Sequence, residues 1–299
     1  GVPLDSYDTW FKDQIVWSMN LPQVIGGIAT GIILAVGGAV MQPVIRNPLA
    51  DPFTTGISSG ALLGISIFLA YGICLIPGLT GNPALMVNAF IFALIPTATI
   101  ITDASLKKQI SPTMMVLTGI GIMYLFSACA SLVRYQADPD SAHAIFTWTL
   151  GTLGRVNWDN VWILVAAATV MLVFGLISSG RLNIVAAGDQ LSQSLGVRTK
   201  RFRIISLLVV ALTTGIAVAF TGTIGFVGLV CPHIARALVG ANNHYVVPTA
   251  ALIGTVMLIG SECLAKCIGT SGLPVGAVTA LIGSPLFIYL LVKRHNQMW

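Results

Sequence analysis

Cys231 and His233 flank Pro232 inside the stretch 221–240, TGTIGFVGLVCPHIARALVG, and a thiol beside an imidazole raises the question of a metal site. Two side chains this close in sequence cannot build a tetrahedral site, and the stretch holds no further histidine or carboxylate. His233 therefore reads as packing at a helix start, and neither metal nor cofactor is expected. Catalytic patterns are missing too. The chain has no GxxxxGK[ST] loop to cradle nucleotide phosphates, no HExxH helix, no GxSxG elbow and no pair of intramembrane carboxylates for acid–base work. Enzymatic activity is not expected, and energy for any work must come from another subunit. The five cysteines show no CxxC spacing and lie in or beside apolar segments, so they read as small core residues.

What remains are residues that shape the backbone. Gly222, Gly225, Gly228 and Gly240 punctuate 221–240, which predicts an extended or looped path over 221–230. Pro232 then suits the first turn of a short helix over 232–239, closed by Gly240. A helix broken at membrane depth has backbone groups that lipid cannot satisfy, so it must be wrapped by protein or line a watery cavity. A loop outside the membrane is the alternative, but no charge falls between Arg203 and Arg236. Two more prolyl turns, Asn47-Pro48-Leu49 and Ser111-Pro112-Thr113, read on their own as helix punctuation. The run 181–203 is the most polar in the protein; 186–195 can form a short helix that Gly196 ends, with basic residues following.

The elements that carry these residues are set by composition. Hydrophobic residues make up 56% of the chain and charged residues 8%, with mean hydropathy +0.89, which excludes an ordinary soluble domain. The reading is an all-α, polytopic membrane protein. Nine crossings are expected at 21–42, 55–76, 83–102, 112–132, 158–178, 204–220, the broken 221–239, 246–268 and 274–292, with 142–156 a short surface or re-entrant helix. Gly27, Gly31, Ala35 and Ala39 make a small-residue stripe on the first span, and Gly56, Gly60 and Gly64 make another on the second.

A net charge of +5 would suggest nucleic acid in a soluble protein; here it is read by side of the membrane, and no nucleic-acid partner is expected. Loops with Arg46, Lys107, Lys108, Arg181, Arg198, Lys200, Arg201, Arg203, Arg236, Lys293 and Arg294 alternate with loops holding only Lys12, Arg134, Arg155 and Lys266. The first set is expected in the cytoplasm. The amino terminus, with 1–18 as a water-exposed segment ending in interfacial tryptophan, then lies outside and the carboxyl terminus inside.

The stretch 221–240, together with RNPLADP at 46–52, ISSGALLG at 57–64, QSLGV at 193–197 and LPVGAVTALIGSPLF at 273–287, resembles the membrane permease subunits of the iron-siderophore, haem and cobalamin importers of the ATP-binding-cassette class. The likeness covers nearly the whole chain in order. It implies one permease domain over 1–299 with the type II importer permease fold, usually ten crossings, so that one amino-terminal helix is missing relative to the family. It implies ATP-driven alternating access in the cytoplasmic membrane, with an iron-siderophore complex as the leading cargo and cobalamin, haem or molybdate behind it. The implied partners are a cytoplasmic ATPase dimer, an extracytoplasmic substrate-binding protein and a second permease, identical or homologous.

The same resemblance implies roles for residues. Gly188, Asp189, Ser192, Leu195 and Gly196 would couple to the ATPase; Asn47, Pro48, Leu49, Pro112 and Thr113 would pinch the inner end of the pathway; Gly225, Gly228, Pro232 and His233 belong to the broken helix. Asn20, Gln23 and Lys266 would meet the binding protein. Relatives commonly carry arginines near Leu21 and Pro22, which the amides cannot replace in charge-assisted bonds, and Glu262 is a local partner for Lys266. A competing class is an ion-coupled secondary transporter, which would be expected to bury ionisable residues near the midplane.

Overall fold

A computed structural model describes residues 10–106, 112–268 and 272–294, and among these the regular structure is helical throughout. The helix at the centre is built from small residues. α1 runs Trp10–Ile45, 36 residues, with a π-helical stretch at Ile15–Asn20, and 78% of its apolar window is buried. Residues 10–18 are thus helical, continuous with the first span; residues 1–9 of the expected external segment lie outside the described residues. Gly31 of α1 and Gly254 of α10 (Asn243–Cys267) face each other so closely that a Cβ on either would collide with the other's carbonyl. The stripe read from the sequence is therefore a backbone-to-backbone crossing. Around α1 also pack α6 (Val161–Ala186), α8 (Thr199–Thr221) and α9 (Val227–Val239).

The remaining helices are α2 (Ile57–Tyr71), α3 (Gly81–Leu106), α4 (Pro112–Gln136), α5 (Pro139–Thr149), α7 (Asp189–Ser194) and α11 (Val275–Arg294). Among the described residues six helices are long and apolar enough to cross a membrane, and shorter apolar helices occupy Ile57–Tyr71, Val227–Val239 and Val275–Leu290. These nine fall where nine crossings were expected. The second is shorter than the predicted 55–76. Its 15 residues span about 22 Å, less than the roughly 30 Å of a bilayer core. Residues 46–56 make up the difference. Asp51 caps the 3₁₀ turn Pro52–Thr55, accepting from the Thr54 amide at 2.9 Å, and Pro52 packs against both Gly37 and Gly228. The irregular segment therefore climbs back along α1 before α2 begins.

The break differs from expectation in its boundaries. Only 222–226 is non-helical; Val227 already opens α9, so Gly225 lies in the break while Gly228, Pro232 and His233 lie within the helix. Pro232 provides no N–H for the Gly228 carbonyl and would ordinarily destabilise a helix interior. The oxygen finds room because it lies directly on Gly38 of α1, where a Cβ would overlap it. That crossing makes an interior proline tolerable, and residues so far apart could not announce it. The break itself is wrapped by protein. Thr152 N–H donates to the Thr221 carbonyl at 2.7 Å, the Thr223 hydroxyl donates to the Thr149 carbonyl, and Gly276 N–H donates to Gly151 at 3.3 Å. The re-entrant reading of 142–156 resolves into helix α5 and a loop that seals the gap.

Candidate coupling and gating site

At one end of the molecule α7 is fixed by a compact set of bonds. Gly188, at φ 124°, turns the chain out of α6, and its carbonyl accepts both the Ser192 amide (3.0 Å) and the Ser192 hydroxyl (2.6 Å). The helix ends in a Schellman arrangement: Gly196 N–H donates to Gln193 and Val197 N–H to Ser192, with Gly196 at φ 78°. Ser192 points inward and is fully buried, while Leu191 and Leu195 stand 49% and 59% exposed. A cleft of about 530 Å³ beside them is lined by Gln193, Gly196, Arg198, Lys200 and Arg201.

Asp189, on the first residue of α7, meets Arg203 on α8 in a two-pronged pair: Nη2 donates to Oδ1 at 2.7 Å and Nη1 to Oδ2 at 3.0 Å. Arg203 is 1% exposed, and the Asp189 carboxylate offsets the cost of burying its guanidinium there. Its remaining Nε–H donates to the Val44 carbonyl at 2.9 Å. Val44 lies in the last turn of α1, where carbonyls lack helical partners. Those of Gln42 and Pro43 are taken by the amides of Asn47 and Arg46, and Val44's is taken by Arg203.

The prolyl turn follows at once. Arg46 is left-handed (φ 52°), and Asn47 Oδ1 accepts the Leu49 amide at 2.9 Å, closing a side-chain turn that leaves Leu49 48% exposed. Asn47 and Thr113 line one cleft of about 250 Å³ with Ile45, Arg46, Val116 and Leu117. The two turns singled out by their prolines therefore converge. Pro112 opens α4, and Ser111 lies outside the described residues, as do Lys107 and Lys108.

The opposite end gathers the other predicted group. Lys266 Nζ donates to Asn20 Oδ1 at 2.9 Å and to Gln23 Oε1 at 2.6 Å, and pairs with Glu262 at 3.4 Å. The Trp158 indole donates to the Trp17 carbonyl at 2.8 Å nearby. In the broken region, His233 Nδ1–H donates to the Leu229 carbonyl at 2.7 Å and its ring stands edge-on to Phe287, which is packing within a helix instead of at its start. Two buried ionisable residues had escaped notice: Arg203, read as one cytoplasmic base among many, and Asp51, 8% exposed. A basic residue opening an apolar helix was the only available signal for the first.

A wrapped helix break, two converging turns and a polar helix pinned beside them define a polytopic α-helical transport protein. Residues 4–293 match the FecCD transport family, and the chain belongs to that family. It is similar to the hemin transport system permease protein HmuU of Yersinia pestis, 35% identical over 94% of this chain and 84% of that one. The iron(3+)-hydroxamate import system permease protein FhuB of Bacillus subtilis is 33% identical over 95% and 73%, and the vitamin B12 import system permease protein BtuC of Vibrio cholerae 31% over 98% and 88%. Among solved structures, an inward-facing metal-chelate type ABC transporter matches with a TM-score of 0.87 at 28% identity, covering 95% of this chain and 89% of that one.

Proposed function

We propose that this chain is the transmembrane permease subunit of a binding-protein-dependent importer, translocating an iron-siderophore complex across the cytoplasmic membrane by ATP-driven alternating access. The observation that carries the reading is the convergence of the Asn47 and Thr113 turns on one cleft, at the end of the molecule where α7 presents Leu191 and Leu195. Exposed leucines on a short polar helix suit an apolar seat on a partner, here the ATPase dimer, with 181–203 as the coupling segment of a single permease domain over 1–299. A second permease copy or a homologue completes the pathway, the bilayer covers the remaining apolar faces, and cargo arrives on a binding protein at the end that holds Asn20, Gln23 and Lys266. That end faces outward with 1–18, and the α7 end faces the cytoplasm. Since Lys266 is engaged with its own neighbours, its contribution to docking should depend weakly on salt.

Haem is the second reading for cargo, favoured by the likeness to HmuU, with cobalamin following from the likeness to BtuC. The expected result in proteoliposomes carrying the chain with its ATPase is uptake of ferric hydroxamate that requires ATP and the binding protein. Uptake of haemin or cobalamin in its place reassigns the cargo. Uptake driven by a proton or sodium gradient without ATP means a secondary transporter. Asp51, the buried carboxylate such a mechanism would need, is occupied in capping Pro52–Thr55.

A further inference from the structure

The start of α8, residues 199–203, touches everything a coupling device would have to connect. Arg203 holds Asp189 of α7 with two nitrogens and the Val44 carbonyl with the third. One turn earlier, Lys200 Nζ donates to the Ser105 carbonyl at 3.0 Å, in the last turn of α3 and just ahead of the second prolyl turn. The same short stretch thus grips the coupling helix and the ends of both helices that lead into the cleft. Arg46, at the start of the Asn47 turn, also lies against Gly188, its guanidinium 3.9 Å from where a Cβ on that glycine would sit.

We propose that Arg203 is a positioning residue that transmits displacement of α7 to the Asn47-Pro48-Leu49 turn, with Lys200 as a second arm toward the Thr113 turn. The inference rests on the importer reading above. Its physical basis is stiffness. A two-pronged guanidinium–carboxylate pair resists both rotation and translation, and with the side chains of Arg203 2% and Asp189 33% exposed it meets water on the carboxylate side only. The Val44 carbonyl is fixed to the backbone of α1, so moving Asp189 must move either the end of α1 or the whole first turn of α8. Arg46 adds direction: a left-handed non-glycine residue has a second, more relaxed backbone state, so the turn it opens has somewhere to go when pulled.

Lysine at 203 keeps the buried charge and can reach Asp189, but a single ammonium cannot hold two carboxylate oxygens and a carbonyl in fixed directions. The test is hydrogen–deuterium exchange on the assembled complex of this chain with its ATPase, with and without a non-hydrolysable ATP analogue. In the wild-type complex the nucleotide should change exchange over both 188–197 and 44–56. In Arg203→Lys the change at 188–197 should persist while that at 44–56 falls by about tenfold, with the complex remaining assembled. Lys200→Met, at a half-buried position, should leave 44–56 responsive and weaken the response at 113–117. If 44–56 responds in Arg203→Lys as in wild type, or if both segments fall silent together with lost assembly, the transmission role is overturned. If 188–197 fails to respond even in the wild-type complex, the coupling reading itself falls and takes this proposal with it.

Discussion

Lys266 extends from the last turn of α10 to Asn20 and Gln23 on α1 and to Glu262 on its own helix, so one side chain ties two helices that start far apart in sequence. The Glu262 side chain is only 12% exposed, and removing the cation strands it. Lys266→Met should cost about 1–3 kcal/mol in thermal unfolding of the purified chain in detergent, and adding Glu262→Gln should restore part of the loss. Simple additivity of the two would mean that the contact is not made. Asn20, Gln23 and Lys266 could be grouped from sequence because the family resemblance sets all three at the outer face. Arg203 could not, because its partner is 14 residues away across a turn and its third contact is a backbone atom on α1. Sequence names side chains; it does not disclose which carbonyl at a helix end goes without a partner.

Helix existence was legible because apolar runs of spanning length leave lipid as the only comfortable solvent, and the nine apolar helices sit where nine were expected. Boundaries were less so. Proline's preference for a first turn is a local rule, whereas Pro232 sits inside α9 where Gly38, almost two hundred residues earlier, leaves room for the Gly228 carbonyl. Gly38→Ala should therefore lower stability by about 1–3 kcal/mol or prevent folding, since neither backbone can retreat. Gly180, on α6, has nothing within 4 Å of a built Cβ, and Gly180→Ala should be neutral or stabilising by up to about 1 kcal/mol. Fluorescence-detected size exclusion after heating separates the two. Equal effects would remove the close crossing from the explanation.

Among the described residues the loops sort onto two ends. Trp17 with Trp158, Lys266 with Asn20, and Tyr71 with Gln136 mark one; Arg203 with Val44, Lys200 with Ser105, and Asn183 with Asn243 mark the other. The basic-loop alternation foresaw this division, since long cations are costly to drag across hydrocarbon. The orientation we propose makes exposed Cys267 reactive toward a membrane-impermeant maleimide in intact cells. A cysteine placed at exposed Arg46 in a background lacking the native five should react only after permeabilisation; labelling in the reverse order would invert the assignment.

The central position of α1 also bears on how the protein is made. This helix is 78% buried over its apolar stretch, against 11% for α4, yet it leaves the ribosome before α6, α8, α9 and α10, which pack around it. Its neighbours α6, α8, α9 and α10 begin more than a hundred residues later. During that interval the helix, with Gly31 and Gly38 on its surface and Thr30 and Gln42 along its length, lacks the four helices that bury it most. Nascent chains stopped before residue 243 should remain substrates for membrane proteases, and closure around the helix is an event of the last stage of synthesis.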